Sequence, residues 1–446
     1  MNAWLQKHWD RLHSSFWFLP SLMAAGAGTL ALGAVALDRI VTERWLHGLG
    51  WVYSGGAEGA SLVLSTIAGS MITIAGVVFS MTLVALSLAS SQLGPRLLRN
   101  FMRDTANQVV LGTFVATFVY CLLVLRTIRR ADETAFVPHL AVTCGVLLAL
   151  VSLAVLIYFI HHVAVSIQAD EVVARVAREL FEGIERLFPT QIGRANEPAS
   201  PISPMPGVPS GFDDEAVRVP AAEDGYLQLV DAHALMALAV EGDLRIRLQV
   251  RPGNYIIKGQ TLALVAPVGR VGDAFGARLS GALVLGNQRT SAQDVEFAIL
   301  QLVEIAVRAL SPGINDPFTA ITCVDRLGSA LCRLARREIP SARRSDEAGV
   351  LRVLAPAISF ADIVDAALNQ IRQHARQDAA VTLRLLDAIA AVASAAQTSQ
   401  DRSALRRHAR MIVEGAGDAF VQSQDRRELE QRHEACLRAL RGPDAT

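Results

Sequence analysis

The chain has 446 residues, 52% of them hydrophobic, and its 42 Lys plus Arg balance its 42 Asp plus Glu to a formal net charge of +0. That balance gives no electrostatic case for nucleic-acid binding. The five cysteines (Cys121, Cys144, Cys323, Cys332 and Cys436) include no CxxC pair and suggest neither a disulfide framework nor a metal site, and the length allows more than one domain.

In chain order, the first apolar run is Phe16 to Leu37, with Trp4, Trp9 and Trp17 near its entry as interfacial aromatics. It has no small-residue cleavage site and carries Pro20 inside the run, so it reads as a retained membrane helix. The second stretch, Gly59 to Pro95, contains no Asp, Glu, Lys or Arg. At about 1.5 Å per residue, a helix of that length exceeds the roughly 30 Å hydrocarbon core of a bilayer. The expectation is a helix spanning at Ser61 to Leu88 that projects beyond the bilayer or bends at its serine-rich end. Thr66, Ser70, Thr73, Ser80, Ser87 and Ser91 share one face of it, with Val77 and Val84 filling the missing steps and Gly69 and Gly76 flanking. Two readings of this hydroxyl face stay open. In one, small residues let helices pack closely in lipid; in the other, several copies line a water-filled pathway in which hydroxyls replace part of an ion's hydration shell.

Two further spans are expected, Val109 to Leu125 and Val137 to Ile160. Four spans place both termini on one side. Lys7, Arg11, Arg96, Arg99, Arg103, Arg175, Arg178 and Arg186 fall on that side, against Arg39, Arg44, Arg126, Arg129 and Arg130 on the other. The positive-inside rule then puts both termini in the cytoplasm of a bacterial inner membrane. The three outer arginines, Arg126, Arg129 and Arg130, read either as an anion-attracting vestibule or as an ordinary headgroup-facing loop. His161 and His162 at the fourth boundary read either as pH sensors or as interfacial residues.

Residues 1–165 therefore form a four-helix transmembrane domain. A juxtamembrane helix, 166–189, follows, with Val172, Val176, Leu180, Ile184 and Leu187 along one seam that either packs on the rest of the domain or zips copies together. A Pro/Ser-rich linker occupies 190–221, with Pro198, Pro201, Pro204, Pro206 and Pro209. Within 222–290 the period changes to two. Tyr226 to Val230 and Leu244 to Val250 are strand candidates, and turn signals at Pro252-Gly253 and Lys258-Gly259 bracket another. The stretch Val250 to Val265 resembles the hammerhead turn of biotinyl- and lipoyl-type barrels. The modified lysine and its Met neighbours are missing, so the resemblance implies a small β-barrel-like module and no cofactor.

Residues 291–446 read as a helical bundle. Ser291 with Asp294 forms a capping box for a helix Ala292 to Leu310 that is apolar nearly all round, with Gln301, Glu304 and Arg308 together on one face. Such a cluster is either a buried polar network or a ligand site. The stop Ser311-Pro312-Gly313-Ile314-Asn315-Asp316-Pro317 follows, in which Asp316 caps a helix that has Pro317 at its first position and runs to about Arg337. Further helices are expected from Ser359 to His374, Asp378 to Ala395, Arg402 to Ala416 and Arg426 to Arg441.

Three stretches carry a family resemblance: Ile67 to Met71 with Leu88 to Phe101; Leu111 to Phe114 with Leu125-Arg126; and Arg289-Thr290, Gln293-Asp294 and Gln301 to Pro317. Together they resemble the bacterial predicted membrane proteins of domain of unknown function 2254. The resemblance implies an inner-membrane protein with a cytoplasmic C-terminal half and no established activity.

No GxSxG, HExxH, Walker A or GxGxxG motif is present. Ser311, His233 and Asp316 make a triad only on paper, so no catalytic residue and no enzyme activity are expected. The scarcity of intramembrane charge and the small number of spans disfavour a secondary transporter. What remains is a homo-oligomeric ion channel lined by the second helix, with the lipid bilayer and small ions as partners, or a membrane-anchored binding, sensor or scaffold protein.

Overall fold

The computed structural model describes residues 17–40, 52–94, 104–129, 136–166, 168–188, 212–272, 274–417 and 419–441. Trp4, Trp9, the prolines Pro198, Pro201, Pro204, Pro206 and Pro209, and Lys7, Arg11, Arg44, Arg96, Arg99, Arg103 and Arg130 lie outside them. The chain separates into two units, Met1–Glu171 and Val172–Thr446.

The first unit holds four apolar helices: α1 (Phe18–Ile40), α2 (Ala57–Leu93), α3 (Thr105–Leu125) and α4 (His139–Ser166). All four are long and apolar enough to cross a membrane. The second is one continuous helix of 37 residues, which at about 1.5 Å per residue gives a length of roughly 55 Å. Helix α3 is the central one and packs against the other three. One apolar layer gathers Ala31, Leu64, Ala68, Tyr120, Val124 and Ala141. A second, further along the helices, gathers Met71, Ala75, Val78, Val110, Phe114 and Phe159. Small residues set the crossings: a Cβ on Gly145 of α4 would lie 2.9 Å from the Leu64 side chain of α2.

The second unit begins within α5 (Ala169–Leu187), which buries Val173, Val176, Ala177, Leu180, Gly183 and Ile184. Ile184 meets Val295, Ile299, Leu327, Leu331 and Ile363 around one apolar centre. The seam expected for this helix therefore packs within the unit. After a single turn, α6 (Phe212–Glu215), come β1 (Val217–Pro220), β2 (Gly225–Val230), α7 (Ala232–Glu241), β3 (Arg245–Leu248), β4 (Tyr255–Ile256), β5 (Thr261–Ala266), α8 (Phe275–Ala282) and β6 (Leu283–Gly286).

The helical part has α9 (Val295–Ala309), α10 (Pro317–Ala335), β7 (Arg343–Ser345), β8 (Leu351–Leu354), α11 (Phe360–His374), α12 (Ala379–Ala395), α13 (Ser399–Ala416) and α14 (Ser423–Arg441). The strands form a five-stranded sheet ordered β1-β5-β3-β8-β7 and a three-stranded sheet ordered β4-β2-β6.

This corrects three expectations. The described strands form no closed barrel: β4 and β5, on either side of the Lys258-Gly259 turn, pair into different sheets. The stretch after Ser291 is not helix alone, because β7 and β8 complete the larger sheet, with β8 parallel to β3 through Ile246 and Val353. Helix α9 also starts later than the capping box predicts. Asp294 is itself the N-cap and accepts from the Phe297 amide at 3.1 Å.

Candidate functional site

Helix α2 divides lengthwise into two faces. Ser61, Leu64, Ala68, Met71, Ala75, Val78, Thr82 and Ala85 are buried, at alternating steps of three and four residues. Thr66, Ser70, Thr73, Ser80, Ser87 and Ser91 are all exposed. So are Val77 and Val84 between them, at 53% and 66%. A Cβ added at Gly69 or Gly76 would meet nothing within 4 Å. The six hydroxyls do share one face, and the described helices leave that face uncovered.

The hydroxyls differ in how they are satisfied. Thr66 donates to the Leu62 carbonyl at 2.7 Å, Thr73 to Gly69 at 2.8 Å and Ser91 to Leu88 at 2.9 Å. Ser70, Ser80 and Ser87 make no side-chain hydrogen bond to a described residue. Lipid chains offer a hydroxyl no partner, and a hydroxyl left without one in an apolar medium costs free energy.

Both ends of the first unit carry polar pairings that the sequence does not announce. At one end the Asp38 carboxylate of α1 accepts from the Leu140 and Ala141 amides, each at 2.9 Å, at the N-terminus of α4. His139 and Thr143 hold the Tyr53 backbone there, and the Tyr120 hydroxyl donates to the Ala141 carbonyl at 2.9 Å. At the other end His162 Nε2 lies 2.8 Å from Asp104 Oδ2, its ring stacks on Tyr158, and Ser166 Oγ is 3.4 Å away. Of the two boundary histidines, His162 is thus engaged and His161 is exposed. Nothing marks these pairs in sequence, because their members lie far apart in the chain. Arg129 and Arg126 are both exposed, and Arg129 forms a β-bridge with Phe136.

In the second unit Glu304 and Arg308 of α9 are 3.6 Å apart. Gln301, one turn earlier, is buried, and its Oε1 has no hydrogen bond to a described residue. Asn315 takes a left-handed backbone, φ 51°. Asp316 caps α10, accepting from the Thr319 amide at 3.1 Å and its hydroxyl at 2.5 Å, with Pro317 in the first turn. The turn therefore acts as a helix stop and cap.

The Arg289, Gln293 and Asp294 positions have a structural explanation as well. Arg289 donates to the buried Asp294 carboxylate at 2.8 Å, and Gln293 bonds both the amide and the carbonyl of Val230 in β2. Burial pushes the Asp294 carboxyl above the ordinary carboxylate value, against the pull of Arg289. These contacts pin the start of α9 to the smaller sheet. The paper triad gains no support: Ser311 donates to the Arg308 carbonyl at 2.6 Å, Asp316 is committed to Thr319, and His233 is exposed on α7. No group of three or more His, Cys, Asp or Glu side chains suited to a metal occurs among the described residues.

The family model described as Predicted membrane protein (DUF2254) matches residues 13–391. An uncharacterized protein of Mycobacterium bovis is 35% identical over 427 residues, which is 94% of this chain and 79% of that protein. Uncharacterized proteins of two Mycobacterium tuberculosis strains, H37Rv and CDC 1551, match with the same identity and coverage. No solved structure matches the chain.

Proposed function

We propose, for a chain that belongs to the DUF2254 family of predicted membrane proteins, that it is the subunit of a homo-oligomeric ion-conducting pathway lined by the hydroxyl face of α2. The observation that carries this reading is the uncovered face itself. Eight residues on one side of α2 are buried against the chain's own helices, while all six hydroxyl residues on the other side are exposed. Ser70, Ser80 and Ser87 make no side-chain hydrogen bond to a described residue, and water in a shared pathway would give each of them a partner. Several copies turned toward a shared axis would surround water with these groups.

The Lys/Arg bias places both termini in the cytoplasm of a bacterial inner membrane, with the second unit on that side to control the pathway. No catalytic step belongs to this reading.

A second reading, a membrane-anchored sensor or scaffold, draws on Thr66, Thr73 and Ser91, whose hydroxyls return to their own helix and suit helix-to-helix packing equally well. Ion flux into liposomes separates the two. Replacing Thr73 or Ser80 by Asp changes conductance in a channel, whereas in a scaffold it affects assembly alone.

A further inference from the structure

Capping explains the backbone of the helix stop between α9 and α10, but not the apolar side chains it presents. Phe318 is 79% exposed, the highest of any aromatic among the described residues, and Ile314 is 41% exposed. Pro312 and Gly313 beside them are exposed too. Between Ala309 and Val324 the one charged residue is Asp316, and its carboxylate is spent on capping α10. A lone apolar residue on a surface is ordinary, whereas an apolar tip clear of free charge marks a place of contact.

The turn fixes this tip from both sides. The Ile314 and Asn315 amides donate to the Ser311 carbonyl at 3.1 and 2.9 Å, and the Asp316 amide donates to the Ala309 carbonyl at 2.8 Å.

The place of the tip in the second unit follows from how α10 lies along α5. Arg333 Nη1 is 3.1 Å from Glu185 Oε1, and its guanidinium carbon is 4.3 Å from the centre of the Phe181 ring. One turn later Arg337 donates to the carbonyls of Glu185 and Phe188, at 3.4 and 2.6 Å. One turn forward along α10 thus matches about one turn forward along α5, and the two helices run side by side in the same direction. Phe318 precedes Arg333 by 15 residues, about 22 Å of helix. The same step back along α5 from the Phe181–Glu185 turn reaches its start. Helix α9 covers these levels in reverse: Arg186 donates to the Ser291 and Ala292 carbonyls just before it, at 3.2 and 3.0 Å, and it ends at the tip.

The start of α5 is where the chain enters the second unit, at Ala169, three positions after α4 ends at Ser166. The tip therefore lies at the end of this unit that is tethered to the last apolar helix.

We propose that Ile314 and Phe318 dip into the headgroup–acyl boundary of the bilayer that α1 to α4 cross, and so anchor the second unit on the membrane surface. This rests on the four helices spanning a bilayer and not on ion conduction. Aromatic and aliphatic side chains gain by leaving water for that boundary, about 5–10 Å deep. The contact is apolar, so it needs no anionic lipid.

The test uses the full chain in phosphatidylcholine nanodiscs, with a nitroxide on a single added cysteine: Ile314→Cys, Phe318→Cys or Arg343→Cys. Arg343 is exposed in β7, beyond the other end of α10. Wild type labelled in the same way gives the background of the natural cysteines. Power saturation compares collisions with oxygen, which concentrates in lipid, and with a water-soluble nickel chelate. Both tip positions should favour oxygen over the chelate several-fold more than position 343 does. Tip positions as open to the chelate as position 343 would lie in water and overturn the proposal. Tip positions shielded from both reagents would lie against protein, such as a second copy, and overturn it as well. Both replaced side chains are exposed, so the variants should fold, and each position is an independent reading. Ion flux does not enter the measurement, so a failed conduction assay leaves this test standing.

Discussion

The Asp38 carboxylate accepts the backbone amide of Leu140 at 2.9 Å and that of Ala141 at the same distance, so a side chain at the end of α1 caps the start of α4. An acid at a helix N-terminus satisfies orphan donors and opposes the positive end of the helix dipole. Asp38→Ala is expected to lower the stability of the first unit by about 1–3 kcal/mol, with Asp38→Asn recovering part of it. Thermal unfolding in nanodiscs reads the difference. An Ala variant equal to wild type would mean that the cap contributes nothing.

In the second unit, Gly253 and Gly259 provide a matched pair. Both have positive φ, 93° and 84°. A Cβ at Gly253 would run into the Asp294 carboxylate, while one at Gly259 meets nothing within 4 Å. Gly259→Ala should cost about 1 kcal/mol, from backbone strain alone. Gly253→Ala should cost about 1–3 kcal/mol more and loosen the Arg289–Asp294 contact. Urea unfolding of the two variants tests the ranking, and equal costs would refute it.

His408 of α13 is fully buried, with Nε2 2.6 Å from Asp365 Oδ1, and Arg407 reaches the same oxygen at 2.5 Å. Burial holds the imidazole below its ordinary value, against the pull of Asp365. For Asp365, burial raises the carboxyl, but the hydrogen bonds from His408 and Arg407 outweigh it and leave the group below its ordinary value. Both signs agree. The unfolded chain takes up protons at a higher pH than the folded one, so stability is full above the ordinary histidine value, near 6.5, and is lost as pH falls below it. Urea midpoints should drop between pH 7.5 and pH 5.5, and His408→Gln should flatten that drop. An unchanged slope in the Gln variant would remove His408 from the account.

The sequence was most legible where the determinants are local. Asp316 with Pro317, Ser359 with Asp362, and Asp378 each start a helix where a short polar side chain can reach amides two or three residues on. The four spans and the hydroxyl face of α2 follow from composition and a 3.6-residue period. Helix α7 was missed because its apolar run Ala234 to Val240 lies between strands and has no clear polar face. The capping-box spacing of Ser291 with Asp294 starts α9 too early; Asp294 is itself the cap, and the bonds of Arg289 and Gln293 that fix it there are not encoded in that spacing. The parallel pairing of β3 with β8 joins residues about a hundred positions apart, and no local pattern encodes it. The same holds for Asp104 with His162 and Asp38 with Leu140: the partner of each carboxylate is set by helix packing and not by spacing.

The central claim, a water-filled pathway along the outward face of α2, is tested most directly by single cysteines at Ser70, Ser80 and Ser87 in protein reconstituted into liposomes. Ion flux is followed before and after a charged methanethiosulfonate reagent, with wild type reporting any effect through the natural cysteines. The account predicts flux in wild type that the reagent leaves unchanged, and flux that the reagent reduces at least several-fold in the Ser80→Cys protein. Absence of flux under any ion gradient, pH or membrane tension, or flux indifferent to modification at all three positions, would contradict it.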